Sequence, residues 1–331
     1  MPLRRQSGAA LLMAMLTVAL VATFAAAALW QQYRSIEVEG AERARVQADW
    51  VLTGALDFSR LLLREDAMPN GSRIDHLGEP WAVPLQEARL SSFLAANKEG
   101  VAEEGPQVLD AFLSGQIIDE QSLLNVNNLV STGAPSDADV RSFARLFDLL
   151  GLPQTQLELL VENLRFALDN SATNRSSPMA PLAPQTVEQL VWLGLPAATV
   201  AALQPYVTVL PPGQKIKVNV NTASAEVIYA AVEGLSMADA QRLVSLRERT
   251  PFDTPTQALQ AIGVSGTAAS PAAQNIDVKS AYFDIRARLR LDALTVEERS
   301  VVYRDGHQVS VIRRERGVVD PTAMTRIAAG R

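Results

Sequence analysis

An uncharged apolar run of 22 residues, Ala9 to Trp30, follows a polar start that holds Arg4 and Arg5 and closes on Ser7-Gly8. At about 1.5 Å per residue the run extends roughly 33 Å, the thickness of a bilayer hydrocarbon core. A secretory signal has an apolar region of about 7 to 15 residues with a small-residue cleavage site beyond it. This run is too long for one and is expected to insert. The helical pattern continues past it, because no proline occurs between Ala9 and Pro69. Ala41, Ala44, Ala48, Val51, Ala55, Phe58 and Leu62 recur at alternating steps of three and four, which makes one apolar stripe on a helix. Glu37, Glu39, Glu42, Arg43, Arg45, Asp49, Asp57 and Arg60 occupy the other face. The sequence therefore predicts a single helix from Ala9 to about Asp66, roughly 85 Å long at the standard rise, its first half suited to lipid and its second to a folded domain. Arg34, Arg43 and Arg45 balance Arg4 and Arg5 across the run, so basic charge alone does not orient it.

The remaining chain is long enough for two compact lobes, and 48% apolar residues suffice to build their cores. Zero cysteines exclude a disulfide and a thiolate metal or redox site. A net charge of −6 and a pI near 5.2 disfavour nonspecific nucleic-acid binding. With two histidines, no histidine pair at metal spacing and no phosphate-cradling loop after a strand, no constellation suggests catalysis.

From about Ser131 to Asn275 the pattern is helical. Leu150-Gly151-Leu152-Pro153, Leu193-Gly194-Leu195-Pro196 and Glu233-Gly234-Leu235-Ser236 each separate two short apolar-periodic segments, with the glycines 43 and 40 residues apart. Glycine supplies a left-handed cap and proline or serine restarts the next helix, so three helical hairpins are expected. In the first, Ser136 caps, Asp139 sits near the positive end, and Phe143, Leu146, Phe147 and Leu150 form the buried face. The chain then returns to strands. Phe283, Ile285, Ala287, Leu289 and Leu291 alternate with Asp284, Arg286, Arg288 and Arg290, a period of two with one face buried and a solvated arginine row on the other. Ser300 to Tyr303 and Gln308 to Arg314 flank the hairpin signal Asp305-Gly306. These strands are expected to complete a sheet begun before Ser131, which makes the helical region an insertion.

A basic leader ending in Gly8 before such a helix resembles the class III signal of type IV pilins and type II secretion pseudopilins, although the leader by itself also fits a plain single-pass anchor. The resemblance implies cleavage after Gly8 by a prepilin peptidase and N-methylation of Ala9. The family's glutamate at the fifth mature position is Met13 here. A buried carboxylate in lipid needs a partner, and a subunit with nothing ahead of it has no terminal amine to neutralise, which argues for a filament tip. Asp75-His76-Leu77-Gly78-Glu79-Pro80-Trp81 and Ile117-Ile118-Asp119-Glu120-Gln121 leading to Asn125-Val126-Asn127 resemble the K-type minor pseudopilin over almost the whole chain. His76 reads as a hydrogen-bonding structural residue.

What this implies is an α+β fold, a pilin-like long N-terminal helix packed on an antiparallel sheet with a large all-α insertion of helix-hairpin-helix or SAM-like type. The parts would be a cleaved leader 1–8, a transmembrane half 9–30, an amphipathic half 31–66, pilin-like α/β residues 67–130, the helical insertion 131–275 and the sheet's C-terminal part 276–331. Expected partners are the I, J and H minor pseudopilins, the major pseudopilin, the inner-membrane assembly platform and the peptidase, with no nucleic acid. The Ala41 to Leu62 stripe would pack on partner helices, with the bulk of the chain periplasmic and one pass through the inner membrane. No cofactor is implied. Some relatives bind calcium near the loop after Asp169, but here Asn170 and Asn174 are weak ligands and Arg175 opposes a cation.

Two other readings remain. Val218 to Phe252 also resembles the helix-hairpin-helix module of DNA-uptake proteins. Yet Ser236, Pro153 and Pro196 replace the second glycine whose N–H approaches a phosphate, and proline has no N–H to donate. A minor pilin of a type IV pilus is the other, against which the size, the insertion and Met13 weigh.

Overall fold

The computed structural model describes residues 7–67, 74–90, 111–169, 171, 174, 177, 179–264, 271–291 and 294–318. The leader residues 1–6, with Arg4 and Arg5, and the loop residues Asn170 and Arg175 lie outside them. Helix α1 spans Ser7–Asp66 as one uninterrupted element, as the proline-free pattern predicts. The chain divides into two compact units, Met1–Gly54 and Ala55–Arg331.

In the first unit the apolar side chains from Leu11 to Trp30 are exposed, and this helix is long and apolar enough to cross a membrane. Its two hydroxyls in that stretch are satisfied internally. Thr17 Oγ1 donates to Ala14 O at 2.9 Å and Thr23 Oγ1 to Leu20 O at 2.8 Å, so neither requires water.

The second unit is built on a five-stranded antiparallel sheet. Strands β1 (Leu85–Arg89), β2 (Ala111–Asp119), β3 (Tyr282–Leu291), β4 (Leu294–Asp305) and β5 (Gln308–Val318) lie in that order. The strand before the helical region thus pairs with the first strand after it, Ile117 opposite Ile285 and Leu113 opposite Leu289. The alternation read in β3 sets the register: Phe283, Ile285, Ala287, Leu289 and Leu291 are all buried. The last turns of α1 pack on this face, with Leu56 and Leu63 among Trp81, Ile117, Phe283, Ile285, Val302 and Val309. Trp81 meets Phe283 edge-on, ring centroids 5.1 Å apart. Arg60 of α1 donates from Nε at 3.0 Å to the carbonyl of Val309 on edge strand β5, which removes an open acceptor from that edge.

On the opposite face the arginine row is exposed at Arg286 and half-exposed at Arg288 and Arg290, and it is paired. Asp284 is wholly buried and accepts from Arg286 Nε at 2.7 Å and from Arg299 Nε at 2.8 Å. Arg288 pairs with Glu297 and Arg290 with Glu87. Cross-strand pairing has converted the row into a charge-compensated ladder, which a one-strand reading does not contain. The upper part of this face is covered by Leu210 and Ile216, packed on Tyr282 and Val301.

Between β2 and β3 lie helices α2 (Asp137–Leu149), α3 (Gln154–Leu168), α4 (Ala197–Leu203), α5 (Ala225–Ala231), α6 (Met237–Arg247) and α7 (Pro255–Ala261). The three hairpins are present, with Gly151, Gly194 and Gly234 at φ of 67°, 89° and 80°. Pro153, Pro196 and Ser236 stand at the following N-caps. In the second hairpin the first limb, Val187–Leu193, is a 3-10 helix closed by a Thr186–Gln189 capping box. Phe143, Leu146 and Phe147 are buried as the pattern predicts, with Leu157, Leu160, Leu164, Leu190, Leu193 and Ile228 in the same core.

The glycine caps differ in surroundings. A Cβ at Gly194 would lie 2.9 Å from Leu159 Cδ2, whereas at Gly151 nothing lies within 4 Å. Gly151→Ala is expected to cost about 1 kcal/mol from the left-handed backbone alone, and Gly194→Ala more. Urea unfolding of the two variants checks the order.

Candidate functional site

Of the predicted assembly residues in the first unit, Ala9 and Met13 are exposed within α1, Ala41 is exposed, Ala44 and Val51 are half-buried, and Ala48 is buried. Gly8 lies in the same helix. In the second unit Ala55, Phe58 and Leu62 are half-buried; the residues that anchor to the sheet are Leu56 and Leu63. Ala55, Phe58 and Leu62 therefore flank the sheet-facing side of this part of α1. Ala55, Phe58 and Leu62 form one wall of a mostly apolar groove of about 240 Å³, opposite Pro80, Trp81 and Val83.

The sheet and the helical insertion are joined by a buried polar junction centred on Asp119, the last residue of β2. Its Oδ2 accepts from Thr222 Oγ1 at 2.5 Å, Ser280 Oγ at 2.6 Å and Asn219 Nδ2 at 3.1 Å. Its Oδ1 accepts from the Gln121 amide at 2.8 Å. Gln121 extends the tie, donating to Lys217 O at 3.0 Å and accepting from the Ala281 amide at 2.7 Å. Asn219 also donates to Asp75 O at 3.0 Å. Asp75 accepts from the Ser280 amide at 2.7 Å and from Arg304 of β4. Arg304 donates onward to Asp66, at the end of α1, at 2.7 Å. One network thus contacts α1, the segment after it, β2, β4 and both crossings of the insertion. A second tie uses the asparagines. Asn127 Nδ2 donates to Leu210 O and Asn128 Nδ2 to Ile216 O, each at 2.6 Å, which fixes the loop that covers the back of the sheet.

Glu79 belongs to the same region. Its Oε2 accepts from Trp81 Nε1 at 2.7 Å and the His76 amide at 3.0 Å, and His76 Nδ1 accepts from the Gly78 amide at 3.1 Å. His76 thus has the structural role expected of it. Asp66, Asp75 and Glu79 bring carboxylate oxygens within 4.8 Å of one another, a grouping able to hold a metal ion; Arg304 already pairs with two of them, Asp66 and Asp75. At the other calcium candidate, Asp169 is exposed and its carboxylate accepts from the Ser171 amide at 2.8 Å and Ser171 Oγ at 3.1 Å, a local turn.

The hairpin offered as a DNA contact is occupied from within the chain. Arg145 NH2 donates to Leu235 O at 2.8 Å, and Arg141 pairs with Glu233. Arg247 points inward, donating to Val220 O at 2.6 Å. Burial pulls its pKa down to about 10.

The architecture is that of a pilin-like α+β protein carrying a helical insertion between two neighbouring strands. Family models described as type II secretion system protein K match residues 122–212 and 218–279. Type II secretion system protein K of Klebsiella pneumoniae is 27% identical over 95% of this chain and 97% of its own length. Its counterpart in Pseudomonas aeruginosa is 27% identical over 76% of this chain and 75% of its own. Among solved structures, the GspK–GspI–GspJ complex from the enterotoxigenic Escherichia coli type 2 secretion system contains a chain with the same fold. Its TM-score is 0.62 at 20% identity, covering 84% of this chain and 98% of that one. The family models, the curated relatives and the shared fold together support a K-type minor pseudopilin of type II secretion, to which this chain is similar.

Burial pushes the Glu79 carboxyl up to about 7 and the Asp119 carboxyl up to about 6, against the hydrogen bonds each accepts. The folded protein therefore keeps protons that the unfolded chain has already released. The associated stability is complete below the ordinary carboxylate range and is lost as pH rises through those two values. The melting temperature is expected to fall as pH is raised from about 5 to about 8, and Glu79→Gln to flatten the upper part of that decline; differential scanning fluorimetry reads both. Asp119→Ala leaves four buried donors without their acceptor and is expected to cost at least about 2 kcal/mol, measured by urea unfolding at fixed pH.

Proposed function

We propose that this chain is cut after Gly8, N-methylated at Ala9, held as a single-pass protein of the inner membrane with its bulk in the periplasm, and then used as the first subunit of a pseudopilus. It performs no chemistry on a substrate. The placement of the insertion carries this reading. Helices α2 to α7 are spliced between β2 and β3, so they add mass to the pilin-like sheet where an ordinary subunit needs only a connection. That mass obstructs a further subunit ahead, and Met13, in place of a carboxylate, leaves no demand for an amine from one. Export of folded proteins across the outer membrane would follow from growth of the filament beneath this tip.

The solved structural relative is in complex with the I and J proteins of its own system, and we carry such partners over to this chain, with an H protein, the major pseudopilin and the assembly platform as further contacts. The half-buried Ala55, Phe58 and Leu62 along their groove suit a partner helix, since apolar surface beside a fixed helix gains from being covered.

Mass spectrometry of full-length protein co-expressed with a prepilin peptidase is expected to find methylated Ala9 as the first residue. An intact Met1, or a cut beyond Trp30, would refute the assignment. Because the chain has no cysteine, Phe58→Cys gives a single crosslinking position. It is expected to capture an I- or J-type partner carrying a cysteine in its own helix, while Glu158→Cys in the insertion captures none.

A further inference from the structure

Within the first unit, the end of the apolar run carries three hydrogen-bond donors in little more than one helical turn. Trp30, Tyr33 and Arg34 are spaced to share a face, and Trp30 and Tyr33 are 66% and 69% exposed. The Arg34 guanidinium lies 5.7 Å from the Trp30 ring centroid, within cation–π range. Among the described residues, neither Trp30 Nε1, the Tyr33 hydroxyl nor the Arg34 guanidinium donates a hydrogen bond within the chain, although Ser35 beside them returns its hydroxyl to Gln32 O at 3.1 Å. Arg34 is also the first charged side chain after the uncharged run that begins at Ala9.

Resting on the membrane reading above, we propose that Trp30, Tyr33 and Arg34 form a lipid-headgroup collar that sets the depth of α1, with Arg34 binding phosphodiester oxygens of the periplasmic leaflet. Length supports the placement, because a helix seated with Ala9 at one boundary reaches the other about 30 Å later, at Trp30. Chemistry supports it as well. Indole and phenol rings have an apolar body with a polar tip and collect at the headgroup level. A guanidinium binds phosphate through paired N–H groups. Glu37 and Glu39, less than two turns beyond, are disfavoured among phosphates and mark the aqueous side. The collar would hold the amphipathic half of α1 clear of lipid until the subunit is drawn into a filament.

The test uses the full chain in phosphatidylcholine vesicles brominated either high on the acyl chain or near its end, with Trp30→Phe beside the unaltered protein. The fluorescence lost in Trp30→Phe is expected to be the component quenched most by the shallow bromines. Arg34→Glu is expected to reduce that quenching and shift the Trp30 emission to the red, and Arg34→Lys to restore much of it. Stronger quenching by the deep bromines refutes the collar, as does identical quenching with and without Trp30, or an Arg34→Glu profile that does not move. Release of the chain from vesicles by alkaline carbonate would instead refute the membrane reading on which the collar rests.

Discussion

Asp119 is the constraint around which the second unit is organised. A carboxylate this deeply buried needs its oxygens satisfied, and the four donors that do so are Gln121 in the turn after β2, Asn219 and Thr222 in one segment of the insertion, and Ser280 on the return to the sheet. The insertion is therefore bonded into the sheet at its root. The same contacts fix where Asp75 and Arg304 lie, and through Arg304 the end of α1. Polar contacts of this kind specify geometry more than they add net stability, because the desolvation of the groups offsets much of what the bonds return. Burial consequently raises the Asp119 and Glu79 pKa values, the physical mark of that offset.

The two halves of α1 meet different requirements. In the apolar half, hydroxyls return to the helix's own carbonyls and the end is marked by Trp30, Tyr33 and Arg34. In the last turns, Leu56 and Leu63 enter the core while Arg60 closes an acceptor on β5. Ala55, Phe58 and Leu62 lie on neither extreme. They remain half-covered beside a groove.

Much of the fold was legible because its determinants are local. An uninterrupted 3.6-residue period, a strict alternation in β3, glycine at three helix ends and the Asp305-Gly306 turn are each written within a few neighbouring residues. The family motifs around Asp75, Glu79 and Asp119 marked positions that turned out to be central. Their partners Asp66, Asn219, Ser280 and Arg304 carry no such mark, since they converge from distances of up to 238 residues. The ion pairs along the arginine row of β3 were not legible for the same reason. Arg286, Arg288 and Arg290 keep much of their surface in water, and their partners are Asp284, Glu297 and Glu87, two of which belong to other strands.

The sequence alone determined that this protein has one long helix beginning in an uncharged apolar run, a hairpin-rich helical middle and a closing set of strands, because helix and strand periods and chain-reversing glycines act over short range. Only the tertiary structure decided that the helical middle is rooted on a buried carboxylate, that Leu56 and Leu63 rather than Phe58 and Leu62 face the sheet, and that the charged strand face is neutralised in place. Those outcomes depend on which side chains meet across strands and insertions, and the free energy of a buried charge is settled by its neighbours in space.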